Sequence, residues 1–439
     1  MNTAPENKFP VIIYIIPLLI GFRVSLVGEL YISGLFLSLY LIYMFPKRNR
    51  LSFKKFPFQL LMLCILWLLS LVVTDIARET PFGDYARGWA KVSMFFSSLC
   101  ALYLLLYDRR KQLTLFAIVL VAGLILEFFL FPTEYNRFQV WKFGFGLPVT
   151  LLCVTLCQHS YVKKVRWSGP LILLALSFVH LIEGYRSLGL IVFFTGLYLF
   201  IQIVVHNRGI STFSWKKAGM VVVIVLLFLN LFKILYGYAL DHSVTNYDLK
   251  AKTLAQQGRG GLAAMILGGR KEIYPAMMAI KDSPIIGHGS WAKDKGMKYR
   301  KLWVNLRRQG YDINDYGIYK DNLIPSHSHI TGAWVEAGFL GALFWFTVIV
   351  LIIKVLFGMY FTNEPLSPLA AFISFSFLWD ILFSPFGANV QIIDAYYIVV
   401  LLTVYMTMEK KSFSSQSQNV FLLEKTIRNE TLKGGVIYS

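Results

Sequence analysis

The chain reads as an all-α polytopic integral membrane protein, with about twelve transmembrane helices and one large loop outside the bilayer. Three observations lead there. Of 439 residues, 56% are hydrophobic and only 15% charged, with positive mean hydropathy. A soluble protein of this size could not hide so much apolar surface, whereas a bilayer accepts apolar runs of about 20 residues as helices. Such runs recur along nearly the whole chain, and the basic residues gather in the short connections between them.

Apolar windows place spans near 9–22, 27–45, 57–74, 91–107, 113–131, 143–160, 169–182, 187–206, 217–237, 328–355, 367–384 and 390–408. The first and seventh are short. Met1 to Lys8 is polar, and the run behind it lacks a small-residue cleavage site, so no cleavable signal peptide is expected. Cys64, Cys100, Cys153 and Cys157 all fall inside apolar runs, as small core residues do, rather than as a disulfide or metal set.

Short loops with Lys47, Arg48, Arg50, Lys54 and Lys55, with Arg109, Arg110 and Lys111, with Lys163, Lys164 and Arg166, and with Lys216 and Lys217 all fall on one side. Lys410 and Lys411 join them. The positive-inside rule makes that side cytoplasmic, with both termini inside. The expected organisation is a bundle over 1–237 (spans one to nine), an outer loop over 238–326, spans ten to twelve over 327–408, and a cytoplasmic tail over 409–439. In a Gram-negative cell the outer loop lies in the periplasm. The formal charge of +19 would suit nucleic acid, but its placement between spans fits membrane orientation and anionic lipid instead. Membrane lipids are therefore expected partners, and nucleic acid is not. The outer loop carries fourteen Lys or Arg against eight Asp or Glu, an excess that suits an anionic partner at that face.

Arg186, in Glu183-Gly184-Tyr185-Arg186-Ser187, joins spans seven and eight at the outer interface. An arginine there either snorkels to headgroups or aims a planar five-donor cation at phosphate. In the outer loop, Gly268-Gly269-Arg270 leads into an amphipathic stretch that ends at Asp282-Ser283-Pro284. Arg270 would stand near a helix N-terminus, where free amides also favour anions. Pro284 to Gly289 would form a tight turn with close backbone approach. Arg300 belongs to a basic run from Lys293 to Lys301.

His327 and His329 flank Ser328 just before span ten. An imidazole titrates near neutrality and suits removing a proton from a hydroxyl. The two rings of a His-x-His pair on a helix point to different sides, and no clustered carboxylates accompany them, so no metal is expected. Glu336 lies on the face opposite His327 if the helix is continuous, which suits a structural partner. Gly338 and Gly341 would let helices approach closely. Glu127, Asp380 and Asp394 interrupt apolar runs, and the last two could each neutralise a buried arginine. Arg78, Arg87 and Lys91, like Arg137 and Lys142, could join the basic surface.

Together these strings resemble the O-antigen ligase and O-antigen polymerase superfamily. The resemblance rests on Tyr185-Arg186-Ser187-Leu188, on Gly269-Arg270 leading to Pro284-Ile285-Ile286-Gly287-His288-Gly289, and on a His-x8-Glu-x-Gly-x-x-Gly pattern from His327 through Glu336 and Gly338 to Gly341. It covers spans seven to eleven, about half the chain. Ser328 departs from the frequent Asn, and His288 stands between the two turn glycines. The resemblance implies a GT-C-type membrane glycosyltransferase of the inner membrane, working at the periplasmic face without metal or cofactor. Its donor would be a glycan on undecaprenyl diphosphate, and a ligase's acceptor would be a sugar hydroxyl of lipid A–core. His327 would be the general base of an inverting attack, and Arg186 and Arg270 would hold the diphosphate. His329, Glu336, Arg78, Arg87 and Arg300 would support them. A polymerase shares the donor and differs in acceptor. A lipid-linked oligosaccharide flippase shares length and span number but would be expected to show internal repeats and helices broken near the midplane.

Overall fold

The computed structural model describes residues 10–26, 28–44, 54–158, 167–207, 273–299, 322–362 and 364–410, and isolated residues 230, 234, 301 and 308. The described chain is mostly helical. It opens with α1 (Ile12–Leu18), then an antiparallel hairpin of β1 (Arg23–Ser25) and β2 (Glu29–Tyr31), then α2 (Ile32–Met44). Next come α3 (Lys55–Ala77), α4 (Phe82–Leu106), α5 (Arg110–Leu130) and a short α6 (Glu134–Phe138). A π-helical turn, Trp141–Phe145, runs into α7 (Gly146–Cys157), and α8 (Ser168–Ile182) and α9 (Arg186–Asn207) follow. Beyond these lie α10 (Ile273–Asp282), α11 (His329–Ala337), α12 (Phe339–Phe361), α13 (Ser367–Phe383) and α14 (Gln391–Lys410).

Among the described residues, six helices are long and apolar enough to cross a membrane: α3, α4, α5, α9, α12 and α14. The protein is thus a helical membrane protein in architecture. The segment Trp141–Cys157 and helices α2, α8 and α13 are apolar but have at most 17 residues. At about 1.5 Å per residue they reach at most about 26 Å, short of a hydrocarbon core of about 30 Å. Expected span one shrinks to the seven residues of α1, because the chain turns at Leu19–Gly21 into the β-hairpin. The hairpin itself was not expected. Nearly all of span nine, 217–237, the tail 411–439 and most of the outer loop lie outside the described residues.

The connections sort into two ends. At one, Lys410 pairs with Asp108 at 2.8 Å, Arg110 with Glu364 at 2.9 Å, and Gln202 donates to the Met359 carbonyl at 2.6 Å. At the other, the α3–α4 turn meets the loop after α10: Arg78 donates to the Gly287 carbonyl at 2.9 Å and to Ser283 Oγ at 2.7 Å. This sorting agrees with the loop alternation read from the basic residues. All four cysteines are free, and Cys64, Cys100 and Cys157 are buried in the helical core.

Span ten is not one helix. Gly338, with φ +68°, ends α11 and starts α12. A Cβ there would stand 1.9 Å from the Ile285 carbonyl oxygen, so only glycine fits both the backbone angle and the space. The turn after α10 docks on this break. His288 N and Gly289 N donate to the Val335 and Glu336 carbonyls at 2.7 and 3.0 Å, and Ser70 Oγ caps the Ala337 carbonyl at 2.7 Å. These bonds satisfy the carbonyls that a helix end leaves unpaired. The turn therefore does make the close backbone approach expected of it. Gly341 lets α12 fold back onto α11, since a Cβ there would lie 2.5 Å from the Ala333 carbonyl oxygen.

Candidate active site

The β-hairpin and the start of α2, Trp67 on α3, the first turns of α4, Trp291 and Ala292 just after the docked turn, residues 323–336 and the 385–392 stretch surround a cavity of about 1060 Å³. Trp67 and Phe386 line it and are backed by further aromatic rings. Trp67 stacks on Phe344 with centroids 5.6 Å apart, Phe95 stacks on Trp345 at 5.9 Å, and Phe386 contacts both tryptophans at 5.6 and 5.2 Å. Four of these rings are fully buried, giving the polar groups above them a rigid base.

The two histidines enter different environments. His327, on the strand-like approach to α11, is exposed and lines the cavity. His329 also borders it, but only 1% of it is accessible. Its Nδ1 lies 2.6 Å from the Ser384 carbonyl oxygen and its Nε2 3.1 Å from Asp394 Oδ2. A carbonyl only accepts, so Nδ1 carries a proton, and Nε2 is committed to the carboxylate. That ring cannot also take a proton from a bound hydroxyl. Ser328 makes the separation possible: its Oγ accepts from Thr331 N at 3.0 Å, capping α11 so that the helix begins at His329 and leaves His327 outside it. Asp394 thus neutralises a histidine, not the arginine expected of it. Asp380 accepts from Ser384 Oγ at 2.8 Å.

Glu336 meets a cation across the cavity. Lys91 Nζ donates to its Oε2 at 2.7 Å, with about one-seventh of each side chain exposed. Because α11 begins at His329, His327 lies outside the helix, and the opposite-face placement of Glu336, which assumed a continuous helix from His327, does not apply. In the structure its partner is Lys91. Arg87 lines the same wall, held by Asp84 Oδ1 at 2.5 Å and the Gly83 carbonyl at 2.8 Å, over the ring of Trp291 at 4.6 Å. Lys293 takes the other oxygen of Asp84 at 3.0 Å. Arg78 does not join this wall, because its guanidinium is spent on Ser283 and Gly287, locking the turn. Arg186 opens α9 at the same end of the bundle but is not among the described residues that line the cavity. Arg270 and Arg300 lie outside the described residues.

No family model, characterised protein or solved structure matches the chain.

Sequence reasoning missed Asp75, which is 3% exposed. Its carboxylate accepts from Trp89 Nε1 at 2.8 Å and from Ser290 N and Ser290 Oγ at 2.6 Å each, tying α3, α4 and the docked loop together. The signal was available, since Asp75 ends an apolar run much as Asp380 does. Away from the cavity, the loop is braced at Asp282, whose carboxyl is held below its ordinary range by hydrogen bonds from Lys298 and Tyr299. His180, on α8, accepts from Trp141 Nε1 at 2.9 Å and lies 2.8 Å from Thr150 Oγ1, so it serves packing.

Proposed function

We propose that this protein is a metal-independent, inverting membrane glycosyltransferase of the O-antigen ligase kind. It would move a glycan from undecaprenyl diphosphate to a sugar hydroxyl of lipid A–core at the periplasmic face of the inner membrane. The observation that supports it most is the sorting of the histidine pair. The residue that the superfamily pattern marks, His327, is the exposed imidazole in the cavity, while His329 is buried and committed to Asp394.

In this reading His327 takes the proton of the acceptor hydroxyl as its oxygen attacks the anomeric carbon in line. The bond to the lipid diphosphate breaks, and negative charge grows on the leaving group. Fixed cations can stabilise that charge. Arg186 and Arg270 are the residues proposed for it by resemblance. The GT-C arrangement and the count of about twelve spans belong to the same proposal. The broken span ten does not favour a flippase: α12 alone covers 22 residues from Phe339 to Tyr360. At about 1.5 Å per residue that is about 33 Å, a full crossing, so the break sits at a membrane face and not at the midplane.

Purified protein supplied with lipid-diphosphate glycan and lipid A–core is expected to elongate the core, and to do so unchanged in the presence of a chelator. Elongation of a second donor instead would move the reading to a polymerase. Transport of the lipid without transfer would end it.

A further inference from the structure

Arg87 and Lys91 stand one helical turn apart on α4, and both line the cavity. We infer that they form a phosphate-binding subsite on the α4 wall, set and held by Asp84 and Glu336. The inference rests on the reading above only for the identity of the ligand's lipid.

The charges favour an anion. Arg87, Lys91 and Lys293 face two carboxylates, because Asp84 is shared by Arg87 and Lys293. The Arg23–Glu29 pair on the hairpin, 3.2 Å apart, is balanced within itself. Among the described residues these three cations outnumber their two carboxylate partners by one, with Lys293 half-exposed beside the cavity. Donor capacity remains as well. Lys91 spends one of three N–H groups on Glu336, and Arg87 uses Nε and Nη2 but makes no hydrogen bond through Nη1 among the described residues. Asp84 and the Trp291 ring fix the guanidinium plane, which suits a bidentate grip on phosphate oxygens. Trp67 and Phe386, which line the same cavity, offer aromatic surface to the apolar or sugar part of such a molecule. The ligand chemistry is thus a phosphate or diphosphate ester on a lipid, from either the glycan carrier or a phosphorylated glycolipid acceptor.

The test uses the full chain in detergent, titrated with a short-chain prenyl diphosphate, a diphosphorylated glucosamine lipid and the uncharged prenol, with binding read by native mass spectrometry. Arg87→Gln is clean because Lys293 still pairs Asp84. Lys91→Met alone would strand Glu336, so the deciding variant is Lys91→Met/Glu336→Gln. Wild type is expected to prefer at least one phosphorylated lipid over the prenol. Each variant should lose that binding about tenfold or more, with the prenol unaffected, while Lys410→Gln at the opposite end binds as wild type. The lipid whose binding falls identifies the source. Folded variants that keep wild-type affinity for both phosphorylated lipids would overturn the subsite, as would a wild type with no preference over the prenol. Glycan transfer is measured separately. Loss of lipid-phosphate binding in variants of a protein that transfers no glycan would keep the subsite and remove the transferase reading. Normal transfer with unaltered binding would do the reverse.

Discussion

A buried imidazole that faces a carbonyl through one nitrogen and a carboxylate through the other is a structural element, and its removal strands the carboxylate. His329→Ala leaves Asp394 buried without its partner and is expected to cost about 3–5 kcal/mol, read as a lower unfolding midpoint in detergent. The double variant His329→Gln/Asp394→Asn should recover much of that loss; equal loss in both would show that the pair is not what holds α11 to α14. Asp75→Asn is expected to cost about 1–3 kcal/mol, because an amide nitrogen would face a donor that the carboxylate accepts from. The sequence pointed to His327 through its spacing to Glu336, Gly338 and Gly341. It could not show that Ser328 caps α11 between the two histidines, nor that Glu336 meets Lys91. The two members of that pair lie 245 positions apart, and no local pattern links them.

The docked turn and the broken span are one unit. Gly287 and Gly289 have φ of +88° and +90°, and Gly338 receives the Ile285 carbonyl where any side chain would sit. Gly338→Ala therefore combines backbone strain of about 1–3 kcal/mol with a direct clash. The expected outcome is a loop 283–291 that becomes sensitive to protease while the spanning helices keep their helicity. Unchanged protease resistance would show that the turn is held from elsewhere. Turn chemistry was legible here because Pro-x-x-Gly-x-Gly demands unusual backbone angles. The break was not. Hydropathy averages across a window, and a glycine in an apolar run reads equally as a close-packing site or a helix end. Hydropathy likewise gave no measure of how short α2, α8 and α13 are, since apolar character does not measure helix length.

Across the whole molecule, the alternation of basic loops predicted which connections share an end, and the ion pairs Lys410–Asp108 and Arg110–Glu364 lie together as that alternation requires. Lys111→Cys, in the first turn of α5, and Gln139→Cys, beyond its last, are expected to react with a membrane-impermeant thiol reagent from opposite sides, with Gln139→Cys labelled from outside. Labelling of both from one side would contradict the topology. What composition could not reveal is the cavity, because its walls come from six separated stretches of chain. The claim that this cavity transfers glycan through His327 is tested most directly by single-turnover transfer from lipid-diphosphate glycan to lipid A–core, comparing wild type with His327→Ala. The account expects the variant to insert and fold normally and to lose about 10²–10⁴-fold in rate, the scale of a lost general base. A folded His327→Ala protein that transfers glycan at the wild-type rate would contradict it.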